Sequence, residues 1–367
     1  MELLIQPGDG VMPLVRGIAS AKKSVEIVIF RFDRNEIEQA LNQAASRGVF
    51  VHALIAANNR GGERGLRLLE SRLLAAGITV ARTHNNLVRY HDKLIIVDRR
   101  TLYLCGFNFT YLDIERSRSF GLVTRHRALV QEAVHLFDCD VKRQAYTPRL
   151  AAFVVSPVNA RKQLAAFIRG ARKELLIYDL KVSDAEMVRL LQERAKAGVS
   201  IRLIGRLTRK SAKLEVRKLH ELRLHARAIV RDRSQAFLGS QSLRELELDT
   251  RREVGIIFRD PAMVSRLTRT FEEDWVKAEP AALEVRERTS PARAARKVAK
   301  AVSRDLPPVT PVLREVLKDV VGNSNGLDLD SNEVEESVKD VVKEAVRDAV
   351  QEVVEEAVEQ KETAEVS

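Results

Sequence analysis

The feature that most constrains this chain is that it repeats itself. Ala21-Lys22-Lys23-Ser24-Val25-Glu26-Ile27 resembles Ala171-Arg172-Lys173-Glu174-Leu175-Leu176-Ile177 at an offset of 150, and Arg47-Gly48-Val49 aligns with Ala197-Gly198-Val199 at the same offset. His91, Asp98 and Gly121 align with His225, Asp232 and Gly255 at an offset of 134, so the first copy carries 16 extra residues before its histidine. Several matches held at one spacing mark a duplicated unit. In each copy a basic cluster precedes an apolar run of strand length (25–30 and 175–178). An amphipathic helix follows (about 35–46 and about 184–196), with Gly48 or Gly198 where a helix-ending glycine belongs. A second strand comes next (49–56 and 199–204), and the second copy closes on a helical stretch ending Phe271-Glu272-Glu273-Asp274-Trp275. Strands alternating with helices predict an α/β fold, with mixed sheets flanked by helices.

The expected organisation is one unit over 1–145, a second over 146–278, a basic linker with a short helix over 279–326, and an acidic amphipathic helical tail over 327–367. The tail holds 14 acidic and 4 basic residues, which leaves 58 basic and 37 acidic before it, a net charge of +21. So basic a body attracts polyanions, whether nucleic acid or an anionic lipid surface. The stretch 286–304 is a candidate for an anionic membrane surface, or a solvated linker helix. The tail is expected to pair with itself, a partner helix or the basic body. Two cysteines without CxxC spacing argue for a reducing compartment and against a disulfide scaffold or zinc ribbon. The start MELLIQPGDG lacks the marks of a secretory signal, and no apolar run approaches the eighteen or so residues that span a bilayer. The expected setting is cytoplasmic, peripheral to a membrane if the substrate is a lipid.

The chemistry-bearing residues sit late in each copy. The first reads His91-Asp92-Lys93, four apolar residues, Asp98, six residues, then Cys105-Gly106-Phe107-Asn108. The second reads His225-Ala226-Arg227, four residues, Asp232, six residues, then Gly239-Ser240-Gln241-Ser242. His-x-Lys on an extended strand puts both side chains on one face. A cation beside an imidazole suits a phosphate: the cation binds oxygens, and the imidazole attacks or carries a proton.

This doubled pattern resembles the phospholipase D superfamily over roughly residues 1–277. The resemblance implies two domains related by a pseudo-twofold axis and sharing one active site. It also implies a phosphohistidine intermediate with no cofactor and no metal. One imidazole attacks phosphorus, for which His91 is expected, and the other, His225, protonates the leaving alcohol. By the same resemblance Lys93 and Arg227 hold the phosphate oxygens with Asn108, Ser240 and Ser242, and Glu253 orients an imidazole. Asp98 and Asp232 are expected to brace loops and the interface between halves.

The sequence departs from the pattern at several points. Arg227 replaces a lysine and Ser242 an asparagine, Cys105 and Gly106 stand where Gly and Ser are expected, and Ser119 replaces the first copy's carboxylate. The losses are complementary, and an active phosphodiesterase is expected. Phospholipid hydrolysis or phosphatidyl transfer ranks first, because two motifs in one chain, the Phe-Glu-Glu-Asp-Trp ending and the basic linker resemble lipid-acting members. A nuclease is the alternative, echoed by Phe107-Asn108-Phe109-Thr110, and a polyanion-binding relative is the third. Aromatics at 5% disfavour a base-stacking platform. His52, His84, His126, His135 and His220 are read as structural or exposed, Cys105 as buried and inert, and Trp275 as a packing anchor.

Overall fold

A computed structural model describes residues 1–57, 63–208 and 214–280. The basic stretch 286–304 and the acidic tail 327–367 lie outside the described residues.

Each copy builds one mixed sheet in the same strand order. In the first, the order is Glu2–Gln6, Ser117–Thr124, Thr101–Cys105, Leu94–Val97, Ser24–Ile29, Phe50–Ile55 and Thr79–Arg82. The last three are parallel, and the others join antiparallel. The second sheet matches it: Phe153–Ser156, Arg251–Phe258, Gln235–Gly239, Ala228–Arg231, Glu174–Val182, Ser200–Leu207 and Glu215–Lys218.

The expected helices form at Asn35–Ser46 and Ala185–Lys196. Ile37, Ala40, Leu41 and Ala44 give the first a buried stripe at helical spacing. Asp184 caps the second by accepting from the Met187 N–H at 3.0 Å. Both end the same way. Gly48 at φ +82° and Gly198 at φ +92° take the left-handed conformation that a glycine adopts without strain. Val49 and Val199 then donate back to the carbonyls of Ala44 and Arg194 at 3.1 and 3.0 Å.

Period-2 alternation explains why the strands read as continuous apolar runs. Val25, Ile27 and Ile29 bury against the outer helices, including Met12–Ala19 and Asn35–Ser46, whereas Val28 faces inward. In the second sheet Leu175 and Ile177 face outward, and Leu176 and Tyr178 face inward. With both faces covered, no polar alternation is left to see. The inward faces of both sheets share one core with the helices Arg127–Val141 and Pro261–Lys277. There Phe120 meets Tyr178 edge-on at 5.1 Å, Tyr178 meets Phe271 at 5.1 Å, and Phe271 stacks on Trp275. Asp274, 3% exposed, accepts from Arg118 Nε at 2.7 Å, Arg118 Nη2 at 3.0 Å and the Tyr178 hydroxyl at 2.7 Å. A carboxylate from the last helix of the second copy thus clamps a strand of the first. Among the described residues no helix is long and apolar enough to cross a membrane.

Asp98 and Asp232 each bind a loop of their own copy. Asp98 accepts from the backbone N–H groups of Lys22, Lys23 and Ser24 at 2.6–3.1 Å. Asp232 does the same for Arg172, Lys173 and Glu174 at 2.7–3.2 Å. Each sits at left-handed φ (53° and 52°) at the far end of its strand from the histidine. An aspartate suits that turn, because it tolerates this backbone and its carboxylate gathers nearby N–H groups.

Candidate active site

The two motifs reach one place by exchanging partners between the sheets. Arg89–Tyr90 pairs in parallel with Arg251–Arg252 of the second copy, and the His91 N–H donates to the Arg252 carbonyl at 2.8 Å. Reciprocally, Arg223–Leu224 pairs with Ser117–Arg118 of the first copy, and the His225 N–H donates to the Arg118 carbonyl at 3.0 Å. The backbones also touch beside the motifs, where a Cβ on Gly106 would lie 2.8 Å from the Gly239 carbonyl oxygen. That approach explains the glycine where a serine was expected.

His91–Lys93 and His225–Arg227 are not in the ladder, as the strand reading supposed; they lie in the extended links just before Leu94–Val97 and Ala228–Arg231. Off the ladder, each cation turns back on its own motif. Lys93 Nζ donates to the His91 carbonyl, and Arg227 Nη1 donates to the His225 carbonyl at 3.3 Å. The Cys105 N–H fixes the Lys93 carbonyl at 2.9 Å. Phe30 closes one side, with its ring edge-on to His91 at 4.5 Å and Lys93 Nζ 5.5 Å from its centre.

Glu253, fully buried, meets His91 Nδ1 with both carboxylate oxygens at 2.9 Å. The carboxylate of the second copy therefore serves the histidine of the first. Asn108 Nδ2 donates to Asp113 at 2.7 Å. Ser242 Oγ accepts from Arg227 Nε at 3.3 Å. Ser240 Oγ accepts from the Val254 N–H at 3.1 Å, so its hydroxyl is engaged with backbone. Cys105 is buried, which pushes its thiol up and leaves it unreactive.

Burial and concentrated positive charge set the electrostatics. Burial, then Lys93 and Arg227, hold His91 well below the usual imidazole range. His225 is lowered by burial and by Arg227, Arg223 and Lys93, with Asp113 opposing. Cations from both copies thus act on each imidazole. Burial brings Lys93 down to about 7 against the pull of Glu253. Burial, with Glu247, raises Glu253 to about 8. An anion placed among these groups would relieve the mutual repulsion of the cations and let an imidazole hold a proton.

Sequence reasoning missed Asp113 and Glu247, which stand five residues past Asn108 and Ser242. Asp113 accepts from the Asn108 N–H at 2.8 Å, and Glu247 from the Ser242 N–H at 2.7 Å. Their signal is the repeat itself, because both carboxylates share the 134 offset. Also missed were Asp92 and Asp140, buried around Arg252; burial lifts them to about 7 and about 6.

Comparison with known proteins agrees with this architecture. The family model described as "Cardiolipin synthase, PLD-like domain" matches residues 14–141 and again 164–275. A mitochondrial cardiolipin hydrolase from Danio rerio is 27% identical over 121 residues, which is 32% of this chain and 51% of that protein. The chain therefore spans about half the length of the curated relative it matches. Among solved structures, a polyphosphate kinase from Porphyromonas gingivalis superposes with a TM-score of 0.63 at 20% identity, over 75% of this chain and 50% of that one. A phosphatidylserine synthase from Haemophilus influenzae gives 0.62 at 10% identity, over 82% and 93%. Identities that low establish the shared fold alone. With its two matched segments, two like-ordered sheets and motifs crossing between them, the chain belongs to the cardiolipin synthase family of phospholipase D-like domains.

Proposed function

We propose that this protein is a phosphodiesterase acting on phospholipids, by hydrolysis or phosphatidyl transfer, through a phosphohistidine on His91. The observation that carries the reading is Glu253, whose carboxylate meets His91 Nδ1. When the proton shared by this pair rests on Nδ1, the Nε2 lone pair is free, which is the state a nucleophile needs. Nε2 attacks phosphorus, the ester P–O bond breaks, and His225 gives its proton to the departing alcohol oxygen. Water or an acceptor alcohol then yields a proton to His225 and attacks phosphorus, and the P–N bond breaks to restore His91. Lys93 and Arg227 neutralise the non-bridging oxygens, with the buried Asn108 and Ser242 beside them; Ser240, its hydroxyl engaged with the Val254 backbone, supports the loop. The cardiolipin-acting relative and the family description favour a lipid over a nucleic acid.

The test is turnover on phosphatidylglycerol vesicles against single-stranded DNA, with and without EDTA, using His91→Ala and His225→Ala as controls. Lipid cleavage that survives EDTA and is lost in both variants is expected. Cleavage of DNA alone would favour a nuclease, and retained turnover in both variants would refute the shared site.

A further inference from the structure

Glu253 lies eleven residues past Ser242 and serves His91 across the joint between copies. The repeat places the matching carboxylate for His225 at position 119, where this chain has Ser119, a fully buried hydroxyl that donates to the Asp113 carbonyl at 3.1 Å. We propose that Asp113 has taken over as the positioning carboxylate of His225, in place of the acid missing at 119. Its Oδ2 lies 3.4 Å from His225 Nδ1, and its side chain is 3% exposed. Among the described residues His225 Nδ1 has no hydrogen-bond partner, so this carboxylate is the group facing it. Asp113 is itself fixed: Oδ2 also accepts from the Asn108 N–H and Nδ2, and Oδ1 accepts from Arg223 Nη1 at 2.7 Å. Glu247 shows what this position does without that duty. It holds the Ser242 N–H and lies 3.8 and 3.6 Å from Arg244 and Arg251, while Glu253 attends to His91. Burial opposes the Asp113 charge, yet His225, Arg223 and the Asn108 N–H keep the carboxyl ionised well below the usual range.

The inference rests on the reading of His225 as the proton donor, but the pairing can be measured without substrate. In the full chain, titration of the His225 ring by NMR, assigned with His225→Gln, is compared with Asp113→Asn. An opposite charge this close shifts a pKa by about 1–3 units, so the variant's His225 should titrate lower by that amount. Turnover at neutral pH should fall roughly 10- to 1,000-fold, with a smaller loss at acid pH, because fewer molecules carry the donor proton. Adding Ser119→Glu to Asp113→Asn should restore both readouts. An unmoved His225 titration in folded Asp113→Asn protein overturns the proposal. Should that variant unfold, ring nitrogen shifts of the unaltered chain decide: neutral His225 protonated on Nδ1 supports it, and on Nε2 overturns it. A titration shift in a protein that cleaves no phosphodiester would leave the pairing standing and sink the proposed function.

Discussion

Replacing Asp274 by alanine should loosen the joint between the two sheets and the site together. The carboxylate is 3% exposed and takes three hydrogen bonds, two from Arg118 and one from the Tyr178 hydroxyl. Removing one member of a buried ion pair costs about 3–5 kcal/mol, because its partner stays desolvated without a counter-charge. The Arg118 side chain keeps 15% exposure and can draw in some water, which argues for the lower end, about 3 kcal/mol. At about 2–4 °C per kcal/mol for a chain of this size, Tm should fall by about 6–12 °C. Tyr178→Phe, which removes one bond and leaves the ion pair, should cost only about 1 kcal/mol. Urea unfolding at equilibrium, followed by Trp275 fluorescence and circular dichroism, gives both values. Turnover should fall as well, because the Arg118 carbonyl holds the His225 N–H. A loss below about 1 kcal/mol for Asp274→Ala would refute the claim that this contact joins the halves.

Other perturbations separate site from scaffold. His91→Ala and His225→Ala should each abolish cleavage while leaving far-UV circular dichroism unchanged. Gly106→Ala puts a methyl group 2.8 Å from the Gly239 carbonyl oxygen and 2.9 Å from that of Phe120. Both neighbours are backbone, so the variant should lose about 1–3 kcal/mol by denaturant titration, together with most of its activity. Lys93→Met should kill turnover yet stabilise the fold. Burial takes Lys93 from an ordinary 10.5 to about 7, so between those values the unfolded chain binds a proton that the folded chain has released. The parent therefore gains stability as pH rises through that window and loses it as pH falls toward 7. The advantage of the methionine variant should be largest near pH 7 and shrink toward pH 10; a gap independent of pH would refute the burial argument.

Much of this was legible in the sequence because it is local. The stripe Ile37, Ala40, Leu41, Ala44 and the glycine after it are enough to place a helix and its end, and the structure has it at Asn35–Ser46. The histidines, Lys93, Arg227 and Glu253 were legible through the doubled motif. Partnership across the joint was not. Nothing within the first copy says that Arg89–Tyr90 will pair with the second sheet, since register between distant strands is set by the assembled core. Asp113 escaped for a related reason: it stands five residues past Asn108, outside the motif's spacing, and only the fold brings it to His225. What Asp98 and Asp232 bind was not legible either, because backbone N–H groups carry no sequence signature.

The exchange of strands has a consequence for how the protein responds to dilution. Two free subunits with this geometry would lose the meeting of their motifs whenever they parted, the more so at low concentration. Here the peptide tether keeps each half in the presence of the other at an effective concentration of about millimolar, so parting is followed by reunion with the same mate. The meeting of the two motifs is thereby made a property of the single molecule, however sparse the protein becomes.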